Sequence, residues 1–305
     1  MFGKRTVVDM IERSAENDTD RRRFLKSAGL AGLGVVGASA VTGMDRAVAT
    51  NGGPSDAAIL NFALNLEYLE AEFYLQAVYG EGLPDSLTTG LGDRGGVVGG
   101  RQVKFASPAV RQYAVEIAQD ERDHVAFLRA ALGGAKVSRP ALDLKNSFTA
   151  AARAAGVIGP GQTFDPFANE NNFLLGAFIF EDVGVTAYKG AAPLINNKTY
   201  LEAAAGILAV EAYHAGIIRT NLFARDLGAI ANKISAARDS LDGPTDLDQG
   251  ILRDGKANLV PTDRNGIAFS RSAGQVLNIV YLNPDSVREG GFFPDGVNGS
   301  INASA

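Results

Sequence analysis

Hydrophobic and polar positions follow the helical period in four long stretches of this chain. The first, "SDAAILNFALNLEYLEAEFYLQAVYG", keeps apolar residues three and four apart and meets no Pro or Gly before its final residue, Gly80. The second opens with Ser107 as N-cap and Pro108 at the first helical position, runs through "AVRQYAVEIAQDERDHVAFLRAAL" and stops at Gly133 and Gly134. The third, "NENNFLLGAFIFEDVGVTAYKG", is apolar almost all round, the pattern of a helix buried on several sides. The fourth is "TYLEAAAGILAVEAYHAGIIRTNLFARDLG". An all-α bundle follows from these four.

The connections differ in kind. Between the first two helices "EGLPDSLTTGLGDRGGVVGGRQVKFA" is rich in glycine and predicts a long loop with a short hairpin. Its Gly90, Gly92 and Gly95 spell a formal GxGxxG, but polar turn residues precede it where a dinucleotide site needs a strand. A crossover with Pro140, Pro160 and Pro166 separates the second and third helices, whereas the third and fourth are joined by a short link. From about Ala229 the pattern changes to a short amphipathic helix, a turn-rich segment, a final helix in "SRSAGQVLNIVYLN" and the stretch "GGFFPDGVNG", which packs or binds through Phe292 and Phe293. Asp246 and Asp248 hint at a calcium loop that lacks the remaining ligand spacing.

Composition narrows the chemistry. At 305 residues and 46% hydrophobic the chain can bury a substantial core, and a net charge of -5 gives no footprint for nucleic acid or an anionic membrane. With no cysteine, any metal must be held by oxygen and imidazole. The N-terminal "DRRRFLKSAGLAGLGVVGASAVTG", followed by "AVA", resembles a bacterial twin-arginine signal with cleavage after Ala49. The expected organisation is a signal over 1–49, a four-helix bundle over 50–228 and a C-terminal extension over 229–305, in a protein placed in the periplasm or otherwise outside the cytoplasm.

Both histidines of the chain sit in Glu-x-x-His pairs, Glu121 with His124 and Glu211 with His214. A spacing of three advances about 300° around a helix and about 4.5 Å along it, so each pair projects from one face. The halves echo each other further. His124 precedes Arg129 by five residues as His214 precedes Arg219, and Glu67 precedes Tyr74 by seven as Glu181 precedes Tyr188. A lone Glu from each of two helices and a Glu-x-x-His from each of the other two is the ligand set of di-iron and di-manganese carboxylate bundles.

On these residues the chain is identified as a member of the ferritin-like superfamily, and "NLEYLEAEFYL" is similar to the first helix of ferritins. The resemblance implies a ferritin-like four-helix bundle with the long crossover between the second and third helices. It implies two metal ions, iron or manganese. Glu67 and Glu181 would be terminal carboxylates, Glu121 and Glu211 bridging carboxylates, and His124 and His214 one nitrogen ligand on each metal. Glu70, one turn after Glu67, would reach the centre as a seventh ligand. Rubrerythrins of the same superfamily carry an additional glutamate where this chain has Gly184. Tyr74 and Tyr188 would hydrogen-bond the opposite ligands, and Glu72, rotated about 140° from Glu67, points outward. The tail, with "VPTDRNGIAFSR", "QVLNIVY" and "GGFFPDGVNG", looks like the C-terminal signature of desiccation-related ferritin-like proteins.

The function implied is an oxidoreductase acting on peroxide or dioxygen in oxidative or desiccation stress, with Glu70, Tyr74 and Tyr188 as its catalytic side chains. The alternatives are a stress protein whose metals only staple the bundle, and iron storage, which the long loop and the tail disfavour. No membrane insertion is expected after signal cleavage, and the resemblance admits a homo-oligomer.

Overall fold

The computed structural model describes residues 53–305; the twin-arginine segment lies outside them. Four long helices form the bundle: α1 (Asp56–Tyr79), α2 (Pro108–Leu132), α4 (Glu170–Ala191) and α5 (Lys198–Ala224). Each begins where a side chain replaces a missing backbone partner. Ser55, Ser107, Asn169 and Asn197 accept hydrogen bonds from N–H groups of the first turns. Gly80 ends α1 in the left-handed conformation, at φ 75°.

Packing is pairwise. Helix α1 lies antiparallel to α2: Asn61 near its start bonds the Ala135 carbonyl past the end of α2, and the Ala77 carbonyl near its end accepts from Val103 before α2 begins. Helices α4 and α5 pair the same way, with Arg225 past the end of α5 reaching Glu170 and Asn171 at the start of α4. The two antiparallel pairs and the long crossover between them thus give the expected ferritin-like topology.

The crossover holds a helix absent from the sequence expectation, α3 (Asn146–Ala154), which brings Phe148 against Phe73 of α1 and Phe180 of α4. The expected hairpin in the α1–α2 loop is instead a parallel pair, β1 (Val97–Val98) on β2 (Leu142–Asp143) from the crossover. Glycine serves close approach there: a Cβ at Gly95 would lie 2.1 Å from the Ala141 nitrogen. That packing is the structural role of the GxGxxG residues.

Beyond α5 come α6 (Gly228–Asp239), a small antiparallel pair of β3 (Leu252–Arg253) with β4 (Lys256–Ala257), and α7 (Ala273–Val280). Phe292 and Phe293 are fully buried, and Phe292 packs edge-on against Phe148 and Phe180. The tail therefore shares the bundle's core. Asp248 is no calcium ligand, because Arg238 at 2.7 Å and Arg271 at 3.0 Å occupy its two oxygens.

Two buried arginines fasten the two coverings of the bundle. Arg129 donates to the Tyr68 hydroxyl and to the Thr89 and Ser86 carbonyls of the α1–α2 loop. Arg219 donates to Asp182 at 2.7 Å and to the Gln249, Gly250 and Asn258 carbonyls of the tail. Removing one member of a buried, hydrogen-bonded ion pair costs about 3–5 kcal/mol. Arg219→Met is expected to lose that much in urea unfolding, whereas a loss below about 1 kcal/mol would show that the tail is held by its apolar contacts alone.

Candidate metal centre

Nine titratable side chains meet at the middle of the bundle. Glu67, Glu70 and Tyr74 come from α1, Glu121 and His124 from α2, Glu181 and Tyr188 from α4, and Glu211 and His214 from α5. Glu67, Glu121, Glu181 and Glu211 are all at most 1% exposed, and His124 and His214 are buried beside them. These helices are long and uninterrupted through this level, so each side chain is placed by rigid backbone.

The ligand atoms form two groups sharing one residue. Glu67, Glu121, His124 and Glu211 offer atoms within 4.8 Å of one another, and so do Glu121, Glu181 and His214. The His124 Nδ1 lies 3.2 Å from Glu67, 3.5 Å from Glu121 Oε2 and 3.7 Å from Glu211. The His214 Nδ1 lies 3.0 Å from Glu121 Oε1 and 3.7 Å from Glu181 Oε2. Glu121 thus turns one oxygen to each imidazole, as a bridging carboxylate does.

Of these contacts only that between His124 Nδ1 and Glu67 Oε2 has the geometry of a hydrogen bond. Both oxygens of Glu121 and of Glu211, Glu181 Oε2 and His214 Nδ1 are buried without a hydrogen-bond partner. Unpaired buried acceptors are costly, and lone pairs that converge without bonding each other are arranged around a common cation. The residues present therefore fit a pair of metal ions.

Neighbouring groups orient the centre. Tyr74 donates to Glu181 Oε1 and Tyr188 to Glu67 Oε1, each phenol crossing to the opposite half of the bundle. One oxygen of each carboxylate is occupied in this way, and Oε2 is left to face the histidine. The His214 Nε2 faces Asp120 at 3.1 Å, a contact that would hold the neutral ring as the Nε2–H tautomer with Nδ1 turned to the centre. Asp120 was missed by sequence reasoning, although its place immediately before Glu121 was the available signal. The counterpart before Glu211 is Val210, so His124 has no such support from α5.

Glu70 is 5% exposed and makes no hydrogen bond or ion pair among the described residues. Gly184 makes room for it: a Cβ there would lie 2.4 Å from Glu211 Oε2 and 3.4 Å from Glu70 Oε1. Glu72 turns away from the centre as the helical spacing requires, but not into solvent. It is buried and paired with Arg139 from the crossover, because the glycine-rich loop covers that side of α1.

The centre holds protons that a cation would displace. Burial pushes Glu67 up to about 7 against the pull of His124, and Glu181 up to about 8 against that of His214. Burial also raises Glu70 and Glu211 well above the usual carboxylate range, with neighbouring carboxylates adding to it. Burial disfavours charge on both imidazoles, yet Glu67 and Glu121 carry His124 up to about 11, and Asp120 and Glu121 carry His214 up to about 10. Glu121 runs the other way: despite burial, His124 and His214 hold it below the ordinary range.

Comparison with known proteins follows the same lines. The family model for the ferritin-like domain matches residues 55–224. The chain belongs to the ferritin-like family. Its relatives include the desiccation-related protein PCC13-62 of Craterostigma plantagineum, 34% identical over 242 residues, covering 73% of this chain and 76% of that one. They also include the ferritin-like catalase Nec2 of Nesocodon mauritianus, 28% identical over 272 residues, covering 83% and 86%. No solved structure matches this ferritin-like chain significantly.

Ligation requires neutral imidazole and ionised carboxylate, so binding must expel protons from groups whose values lie at or above 7. Affinity should rise with pH between 6 and 8. Calorimetric titration with Mn(II) at pH 7, in buffers of different ionisation enthalpy, is expected to show release of at least about two protons per chain; heats independent of the buffer would contradict the protonation pattern.

Proposed function

We propose that this chain is an exported di-metal protein, loaded with iron or manganese, that disproportionates hydrogen peroxide to water and dioxygen under oxidative or desiccation stress. The observation that carries the reading is Glu121, buried between two histidines with both oxygens unpaired and one aimed at each. The ligand set supports a pair of ions rather than one. Glu67 and His124 would hold one ion and Glu181 and His214 the other, with Glu121 and Glu211 available to both. When bound, the pair supplies two-electron redox cycling and Lewis acidity toward an oxygen substrate.

The chain's own residues supply the rest. Tyr74 and Tyr188 restrain Glu181 and Glu67 to one free oxygen each. Glu70, close to the centre, almost enclosed and unpaired, is the general acid and base. With its pKa raised by burial, it would give one of the two protons taken up when one peroxide is reduced to two waters and recover one of the two released when the next is oxidised to dioxygen, the two electrons passing from the second peroxide to the first. The apolar aromatic shell around Phe73 keeps bulk water from the reacting atoms. The likeness to a protein named as a ferritin-like catalase supports peroxide as substrate, and the likeness to a desiccation-related protein supports the stress setting. The resemblance of the N-terminal sequence to a twin-arginine signal supports export.

An oxygen electrode tests this directly. Metal-loaded protein is expected to release one dioxygen for every two peroxides consumed. Glu70→Gln should keep its metal content and lose about 100-fold or more of the rate. A fully loaded wild-type protein that neither consumes peroxide nor releases oxygen would assign the metals to stapling the bundle.

A further inference from the structure

The two halves of the bundle differ on their outer surfaces. The same offset of 90 residues relates Glu121 to Glu211, His124 to His214 and Arg129 to Arg219, so α2 and α5 are counterparts residue by residue. On the exposed face of α2 stand Glu116, Gln119, Arg122 and Asp123. The matching exposed positions of α5 are Gly206, Ala209, Ala212 and Tyr213. Between Ala203 and Ile218 no charged side chain of α5 is exposed. If both outer faces met only water, nothing would separate their compositions. We propose that the outer face of α5 is the two-fold interface of a dimer of this chain.

A membrane is the competing cover, since α5 is long and apolar enough to cross one and only 33% of its most apolar window is buried. Spanning is excluded by the inner face, where Glu211, His214 and Arg219 are tied into the bundle. Lying on a membrane calls for large apolar side chains flanked by Lys and Arg. Here Gly and Ala predominate. Such residues gain little from lipid but let a second helix backbone approach closely.

The second helix is best supplied by another copy. Beside α5 the tail forms an apolar hollow of about 100 Å³, lined by Ala212, Ala215 and Gly216 together with Leu259, Val260 and Phe269. The same surface carries projecting apolar groups, Tyr213 at 74% exposed and Val260 at 73%. An isologous interface requires that one surface hold both projection and hollow, and the absence of exposed charge on α5 between Ala203 and Ile218 lets the two helices meet without repulsion. The charge-free stretch of α5 is about 24 Å long. Val260 and Ile267 beside it, both more than half exposed, add apolar area for a second copy to cover.

The chain has no cysteine, so single cysteines report contacts cleanly. Ala209→Cys and Ala212→Cys in the purified protein should form disulfide-linked dimers on mild oxidation, whereas Gln119→Cys, the counterpart on α2, should not. Sedimentation should find a dimer for the wild type at micromolar concentration. Ala209→Gln with Ala212→Arg, which transplants the α2 residues, should keep helical content and metal binding and raise the dissociation constant about 100-fold or more. A monomeric wild type, a variant that stays dimeric, or linkage at residue 119 in place of 209 and 212 would overturn the proposal. A monomer that instead sediments with phosphatidylcholine/phosphatidylglycerol vesicles would overturn it in favour of the membrane.

Discussion

Five glutamates and two histidines share a core from which water is excluded, and protons alone cannot satisfy them. Protonation can neutralise some of the carboxylates, but Glu121 and Glu211 still leave four oxygens without a donor. Burial of unpaired carboxylates costs several kcal/mol each. The molecule sustains that cost through rigid long helices, phenols that each occupy one carboxylate oxygen, and a geometry that aims the remaining lone pairs at two points. The rest of the structure serves to keep this centre aligned and dry.

The pseudo-two-fold that repeats the ligands also repeats their support, and its departures from symmetry are informative. Arg129 and Arg219 hold equivalent places, yet one fastens the α1–α2 loop and the other the tail. The C-terminal extension thus covers one half of the bundle as the glycine-rich loop covers the other. Asp120 backs His214, while Val210 stands in the corresponding place for His124, so the two halves of the centre are electrostatically unequal. Glu70 on α1 faces Gly184 on α4, so the extra carboxylate enters from one half only.

Much of this was legible in the sequence because it is written in local spacing. Helical period, caps and the Glu-x-x-His and Glu-to-Tyr intervals depend on residues a few places apart, and the four long helices and the converging side chains followed from them. What was not legible depends on long-range approach. Helix α3 is short and flanked by prolines, and the β1–β2 pairing joins segments more than forty residues apart. Glu72 reads as a solvent residue until Arg139 arrives from the crossover to pair with it. Asp248 reads as a calcium ligand until Arg238 and Arg271 close around it. Asp120 reads as a surface charge, since only the fold brings His214 within 3.1 Å.

The central claim is that Glu121 joins two ion positions into one centre. Elemental analysis of the purified protein after metal loading at neutral pH, beside Glu121→Ala prepared identically, tests it most directly. The account predicts two metal ions per chain in the wild type and less than one in the variant, with helical content unchanged. A variant that retains both ions, or a wild type that holds none after loading at neutral pH, would contradict it.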